Sequence, residues 1–105
     1  MARRVRVPSG LRIQGVFCFR MFYVYVIFSP STGLYYKGFT TQPEQRLQEH
    51  NSGRSNYTSN KGPWEIVYLE CFELKRDALI REKLLKRYNT ESLKRLIEQY
   101  KNNAG

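Results

Sequence analysis

Residues 21–39 read MFYVYVIFSPSTGLYYKGF. The first eight, MFYVYVIF, are β-branched and aromatic with almost no break, which predicts a buried strand. Ser29-Pro30-Ser31-Thr32-Gly33 is a turn cluster. Leu34 to Phe39 then predicts a second strand. Two strands joined by so short a loop form an antiparallel hairpin. Tyr25 falls in the middle of the first strand and Tyr36 in the middle of the second. Paired in register, the two share one face. Gly38, two residues beyond Tyr36, faces the same way without a side chain, so another group can approach its backbone closely.

Working outward, Thr41 with Glu44 three residues later fits a capping box, and Pro43 suits a first helical turn. That helix is expected to end near Asn51, ahead of Gly53. Residues 52–63, SGRSNYTSNKGP, form a polar loop. Trp64 to Phe72 predicts a third strand, and Lys75 to Arg87 a second helix. Its apolar face is expected to centre on Ile80, Leu84 and Tyr88, with Glu82 at the rim. Asn89-Thr90 breaks the pattern, and Thr90 can cap a last helix from Glu91 to about Lys101. The order β-β-α-β-α-α describes an α+β domain: a three-stranded, largely antiparallel sheet flanked by helices, over residues 21–103.

The chain has 105 residues, enough for one domain with a modest core. Eighteen Lys and Arg against nine Asp and Glu give a formal charge of +9. Such a balance favours a polyanionic partner, nucleic acid before membrane. Residues 1–20 carry five arginines and no acid. They are expected to be a basic extension, poorly ordered or upstream of the native start, which makes Met21 an alternative first residue to Met1. The apolar run at 16–28 is interrupted by Arg20 and is too short for a spanning helix. Cys18 and Cys71 match no metal or redox spacing and are expected to be free thiols in a reducing compartment. A cytoplasmic location is therefore expected.

Arg46 and His50 lie four residues apart on the first helix and project from one face. His50 is the single histidine of the chain. Arginine suits bidentate contacts to phosphate, and histidine exchanges a proton near neutral pH. A carboxylate such as Glu82, partly drawn under a sheet, needs a cation or a metal beside it. Each of these residues also has a plain structural reading. Strand tyrosines pack, helix arginines face water, and Glu82 can pair with Lys86 one turn away.

Together the residues resemble the GIY-YIG nuclease domain, most closely its small stand-alone bacterial members. Tyr23-Val24-Tyr25 stands in the place of the first triplet and Tyr36-Lys37-Gly38 in that of the second. Tyr23 replaces the family's glycine and Lys37 its isoleucine. Arg46, His50 and Glu82, the last within ALIREKLLKRY, follow at the family's spacing. The resemblance covers about residues 21–88. It implies hydrolysis of phosphodiester bonds in nucleic acid, with DNA favoured over RNA, and one divalent ion, Mg²⁺ or Mn²⁺. Glu82 would hold the metal, Arg46 would stabilise the transition state, and Tyr25, Tyr36 and His50 would handle water and its proton. Lys37, Arg54, Lys61, Lys75 and Arg87 would track the backbone by salt-sensitive contacts. The same residues also allow two rival readings, an inactive nucleic-acid-binding module and a protein-interaction factor.

Overall fold

A computed structural model of the chain describes residues 4–6, 21–54 and 57–104. Its strands are β1 (Arg4–Arg6), β2 (Phe22–Ser29), β3 (Leu34–Thr40) and β4 (Glu65–Phe72). Its helices are α1 (Pro43–Asn51), α2 (Lys75–Leu85) and α3 (Thr90–Ala104). The expected order β-β-α-β-α-α is present from Phe22 onward. The three expected strands form an antiparallel sheet, and β1 adds a three-residue strand against β4, giving the order β1-β4-β2-β3. Apart from β1, the expected N-terminal extension lies outside the described residues.

The hairpin closes as its turn residues dictate. The Ser29 carbonyl accepts hydrogen bonds from the Thr32 and Gly33 amides at 3.3 and 2.7 Å. Gly33 adopts φ +75°, a left-handed conformation that side chains disfavour. In the resulting register Tyr25 lies opposite Gly38, and Tyr36 lies opposite Ile27. Tyr36 is therefore the diagonal neighbour of Tyr25 on the same face. A register irregularity between Val26 and Ile27 bends the other side of β2, where it meets β4.

The register sorts the sheet into two faces. Tyr25, Gly38 and Leu69 point to one, and Val26, Lys37 and Tyr68 to the other. Helix α1 covers the first face through His50, which meets Tyr25. Helices α2 and α3 cover the second, where Arg81 and Tyr100 meet Tyr68. Val24, Val26 and Ile27 are wholly buried. Each such side chain contributes roughly 1.5–3 kcal/mol by leaving water.

Three local expectations are corrected. First, Thr41 and Glu44 make no capping box. The N-cap of α1 is Gln42, without a side-chain cap bond, and its amide donates to Thr40 Oγ1 at 3.0 Å. Second, Asn89 serves the start of α3, its Oδ1 accepting from the Ser92 amide at 2.8 Å. Third, α2 is turned relative to its apolar pattern. Ala78 and Leu85 are buried, while Leu79, Ile80 and Leu84 are exposed. The inward position between them belongs to Arg81. Its Nε donates to Glu70 Oε1 at 3.0 Å, and the Tyr68 hydroxyl donates to the same oxygen at 2.5 Å. Glu70 is 2 % exposed, so this network compensates a carboxylate that burial would otherwise make costly. Burial, reinforced by the bond to Glu70, pushes the Tyr68 phenol up to about 12.

Candidate active site

The site is assembled along β3, the edge strand, and begins with a missing side chain. A Cβ at Gly38 would fall 2.5 Å from Tyr25 Cζ and 2.9 Å from its Cε2. No real Cβ tolerates such distances. Glycine lets the Tyr25 ring lie across the backbone of β3 and carry its hydroxyl under α1.

There the Tyr25 hydroxyl lies 2.8 Å from His50 Nε2. On the far side of the ring, His50 Nδ1 lies 2.8 Å from Thr58 Oγ1. Tyr25, His50 and Thr58 are all buried. Burial lowers the His50 pKa to about 4, with the Arg46 charge acting in the same direction. The imidazole is therefore neutral at pH 7, with one nitrogen free to accept. Burial also pushes the Tyr25 phenol up to about 12, and Arg46, as a donor, only partly offsets it. Desolvation thus outweighs the nearby cation, which alone would lower this tyrosine.

Loop residues 57–64 are stapled over this chain of groups. The Asn51 side chain accepts from the Trp64 amide at 2.6 Å and donates to the Trp64 carbonyl at 3.1 Å. The Trp64 indole donates to the Thr58 carbonyl at 3.1 Å. Asn51 adjoins His50, so the loop and the helix are locked together at the site.

Arg46 is half-buried at the mouth. Its Nη1 donates to Glu49 Oε1 at 2.7 Å, and this bond is the main reason its pKa is raised. The same contact holds the Glu49 carboxyl below its ordinary value. Tyr36 is also half-buried, its ring centroid 6.4 Å from that of Tyr25 and 5.0 Å from that of His50. Tyr57 stacks on the outer side of Tyr36 at 5.6 Å and is 49 % exposed. Lys61 Nζ sits 4.7 Å from the Tyr57 ring centroid and donates to the Tyr57 carbonyl at 2.8 Å.

Glu82 reaches the site from α2. Its charge acts on Tyr25, raising that phenol further. It pairs with Lys86 at 3.2 Å and lies in a groove lined also by Lys75, Arg76 and Lys83. The burial expected for Glu82 is present, with its side chain 19 % exposed, and so is the Lys86 pairing. Lys37 is drawn into the same charge field: partial burial, then Lys86, lowers its pKa. Arg54, Lys75 and Arg87 are exposed.

The structure thus brings Tyr25, Tyr36, Arg46 and His50 together, with Gly38 as the opening that permits it, while Glu82 acts on Tyr25 through its charge. Thr58, Tyr57 and Glu49 were missed by the reading of the sequence. A signal for Thr58 existed: a histidine on a packed helix needs a partner at each ring nitrogen, and residues 52–63 offer hydroxyls.

A metal has a narrow donor set here. Among the described residues no group of three or more His, Cys, Asp or Glu could hold an ion. A lone, partly accessible carboxylate fits Mg²⁺ or Mn²⁺, which keep several waters and take further oxygens from a substrate phosphate. It does not fit a closed structural zinc site. Among the described residues no helix is long and apolar enough to cross a membrane.

Residues 21–103 match the profile of the GIY-YIG catalytic domain. A UPF0213 protein of Haloquadratum walsbyi is 38 % identical over 78 residues, covering 73 % of this chain and 86 % of its own length. A UPF0213 protein of Streptococcus agalactiae is 36 % identical over 81 residues, covering 76 % and 91 %. The solution NMR structure of a UPF0213 protein from Bacillus halodurans superposes with a TM-score of 0.50 at 29 % identity, covering 75 % of this chain and 84 % of that one. The chain therefore belongs to the GIY-YIG family, a nuclease-type family.

Proposed function

We propose that this protein is an endonuclease that hydrolyses phosphodiester bonds in nucleic acid, DNA in preference to RNA. The observation that carries the reading is convergence on one hydroxyl. Tyr25 Oη meets His50 at 2.8 Å and feels Arg46, Tyr36 and Glu82 at once. A packing tyrosine has no need of an acid, a guanidinium, an imidazole and a second phenol around it.

The chemistry follows from these groups. Water attacks phosphorus, and the bond from phosphorus to the leaving oxygen breaks. Tyr36, next to solvent, would hold the water. Tyr25 would take its proton while passing its own to His50 Nε2, so that neither phenolate nor hydroxide has to persist. Arg46 would leave Glu49 for the phosphate and stabilise the charge of the transition state. That movement matters for His50 too. Arg46 depresses the imidazole in the free protein. A phosphate beside Arg46 offsets that charge and makes His50 a better proton acceptor. A single divalent ion, Mg²⁺ or Mn²⁺, would be held by Glu82 and would polarise a phosphate oxygen and stabilise the leaving one. Lys86 pairs with that carboxylate, and Lys37, within the field of Lys86, would join it as a phosphate contact. Arg54, Lys61, Lys75 and Arg87 extend the basic surface, which favours backbone contact over base reading.

The test is cleavage of labelled single-stranded, duplex and branched DNA, and of matching RNA, with Mg²⁺ or Mn²⁺ and with chelator. Metal-dependent internal cuts, stronger on DNA, are expected. Binding without cutting on every substrate and with both metals would favour a binding module. Neither binding nor cutting would favour a protein-interaction factor.

A further inference from the structure

We propose that Thr58 is a positioning residue that holds His50 in its Nδ1–H tautomer, leaving Nε2 as the acceptor of the Tyr25 proton. The inference rests on the reading of Tyr25 and His50 as a proton relay, and it adds a residue that the family likeness did not bring forward.

A neutral imidazole has one donor nitrogen and one acceptor nitrogen. Here both nitrogens face hydroxyls, Tyr25 at Nε2 and Thr58 at Nδ1, each at 2.8 Å. A hydroxyl can donate or accept, so two arrangements fit the distances. They run the relay in opposite directions. Only the Nδ1–H form lets Nε2 receive a proton from Tyr25.

One feature favours that form. The Arg46 charge bears on the Tyr25 hydroxyl. A guanidinium can only donate, so this cation favours the oxygen lone pairs of Tyr25 and an orientation in which the phenol proton aims at Nε2. Thr58 itself is held in place beside Nδ1. Its carbonyl accepts from the Trp64 indole at 3.1 Å and from the Lys61 amide at 3.2 Å. Trp64 is pinned to Asn51 by two hydrogen bonds, and Asn51 follows His50. The path from His50 through Asn51, Trp64 and Thr58 back to His50 is a closed ring of contacts. It fixes Oγ1 at Nδ1 whatever occupies the open side of the site.

The single histidine makes the test clean. Protein carrying ¹⁵N-labelled histidine gives one pair of ring nitrogens, and their shifts and couplings report the tautomer. At pH 7 the wild type should show a protonated Nδ1 and a bare Nε2. Thr58→Val, close in shape but without the hydroxyl, should move the population toward Nε2–H, and Thr58→Ser should restore the wild-type pattern. Turnover of Thr58→Val should fall about tenfold or more at unchanged KM, with Thr58→Ser retaining activity. Nε2–H in the wild type would overturn the proposal, and that reading needs no variant to fold. An unchanged tautomer in folded Thr58→Val would overturn it as well. A tautomer that switches without loss of turnover would remove the positioning role. If the wild type cuts nothing, the nuclease reading fails while the tautomer result stands apart from it.

Discussion

Gly38 lies directly opposite Tyr25 in the hairpin, and the tyrosine ring fills the space that a side chain at 38 would take. The glycine is part of the site because of what it leaves empty. Gly38→Ala should destabilise the fold by about 1–3 kcal/mol, the usual cost of overpacking. Because the conflict is with the ring, Tyr25→Ala should relieve part of it. Urea unfolding of both single variants and the double variant should show a less-than-additive loss. Full additivity would mean that the two residues do not compete for space.

The buried imidazole makes stability depend on pH. His50 has a folded-state pKa of about 4, against an ordinary value of 6.5. Below pH 6.5 the unfolded chain takes up a proton that the folded chain refuses. Its contribution is thus fully present above pH 6.5 and lost as pH falls toward 4. The loss is on the order of 3 kcal/mol. Urea midpoints of wild type and His50→Gln between pH 7.5 and 4 check this. The difference between the two curves should shrink over that window.

Two carboxylates near α2 should behave in opposite ways. Glu70 is buried with Tyr68 and Arg81, and Arg81→Met strands its charge. That variant should lose about 3 kcal/mol of stability. Glu82 has Lys86 as its partner at the rim of an open groove. Glu82→Gln should change stability by less than about 1 kcal/mol. Thermal or urea unfolding of the two variants side by side measures the contrast.

The basic surface should act through phosphates. Arg54→Ala, Lys75→Ala and Arg87→Ala should each weaken nucleic-acid binding without changing sequence preference. Each should lower the slope of log affinity against log salt by about 1. Fluorescence anisotropy across a salt series, with chelator present, gives the slopes. An unchanged slope would place that residue outside the contact surface.

The hairpin and the order of elements were legible because β2 and β3 are β-branched and aromatic up to a turn cluster that admits one reading. Tyr25, Tyr36 and Gly38 followed from register alone. The face of α2 did not. Apolar periodicity marks the buried stripe only when the core partner is apolar, and here the inward position is an arginine answering a buried glutamate from β4. That Thr58, among the hydroxyls of residues 52–63, answers His50 was hidden for a related reason. It is fixed by the Asn51–Trp64 staple, a contact between residues thirteen apart that no local pattern encodes. The direction of the Tyr25 pKa shift needed burial, which sequence does not supply.

The most direct test compares single-turnover cleavage of one labelled DNA substrate by wild type and by Glu82→Gln, with Mg²⁺ or Mn²⁺ and with binding measured in parallel. Wild type should cut only with metal. Glu82→Gln should bind and stay folded but lose at least two orders of magnitude in rate. Equal cutting by both proteins would contradict a phosphodiesterase site built on Tyr25, Tyr36, Arg46, His50 and Glu82.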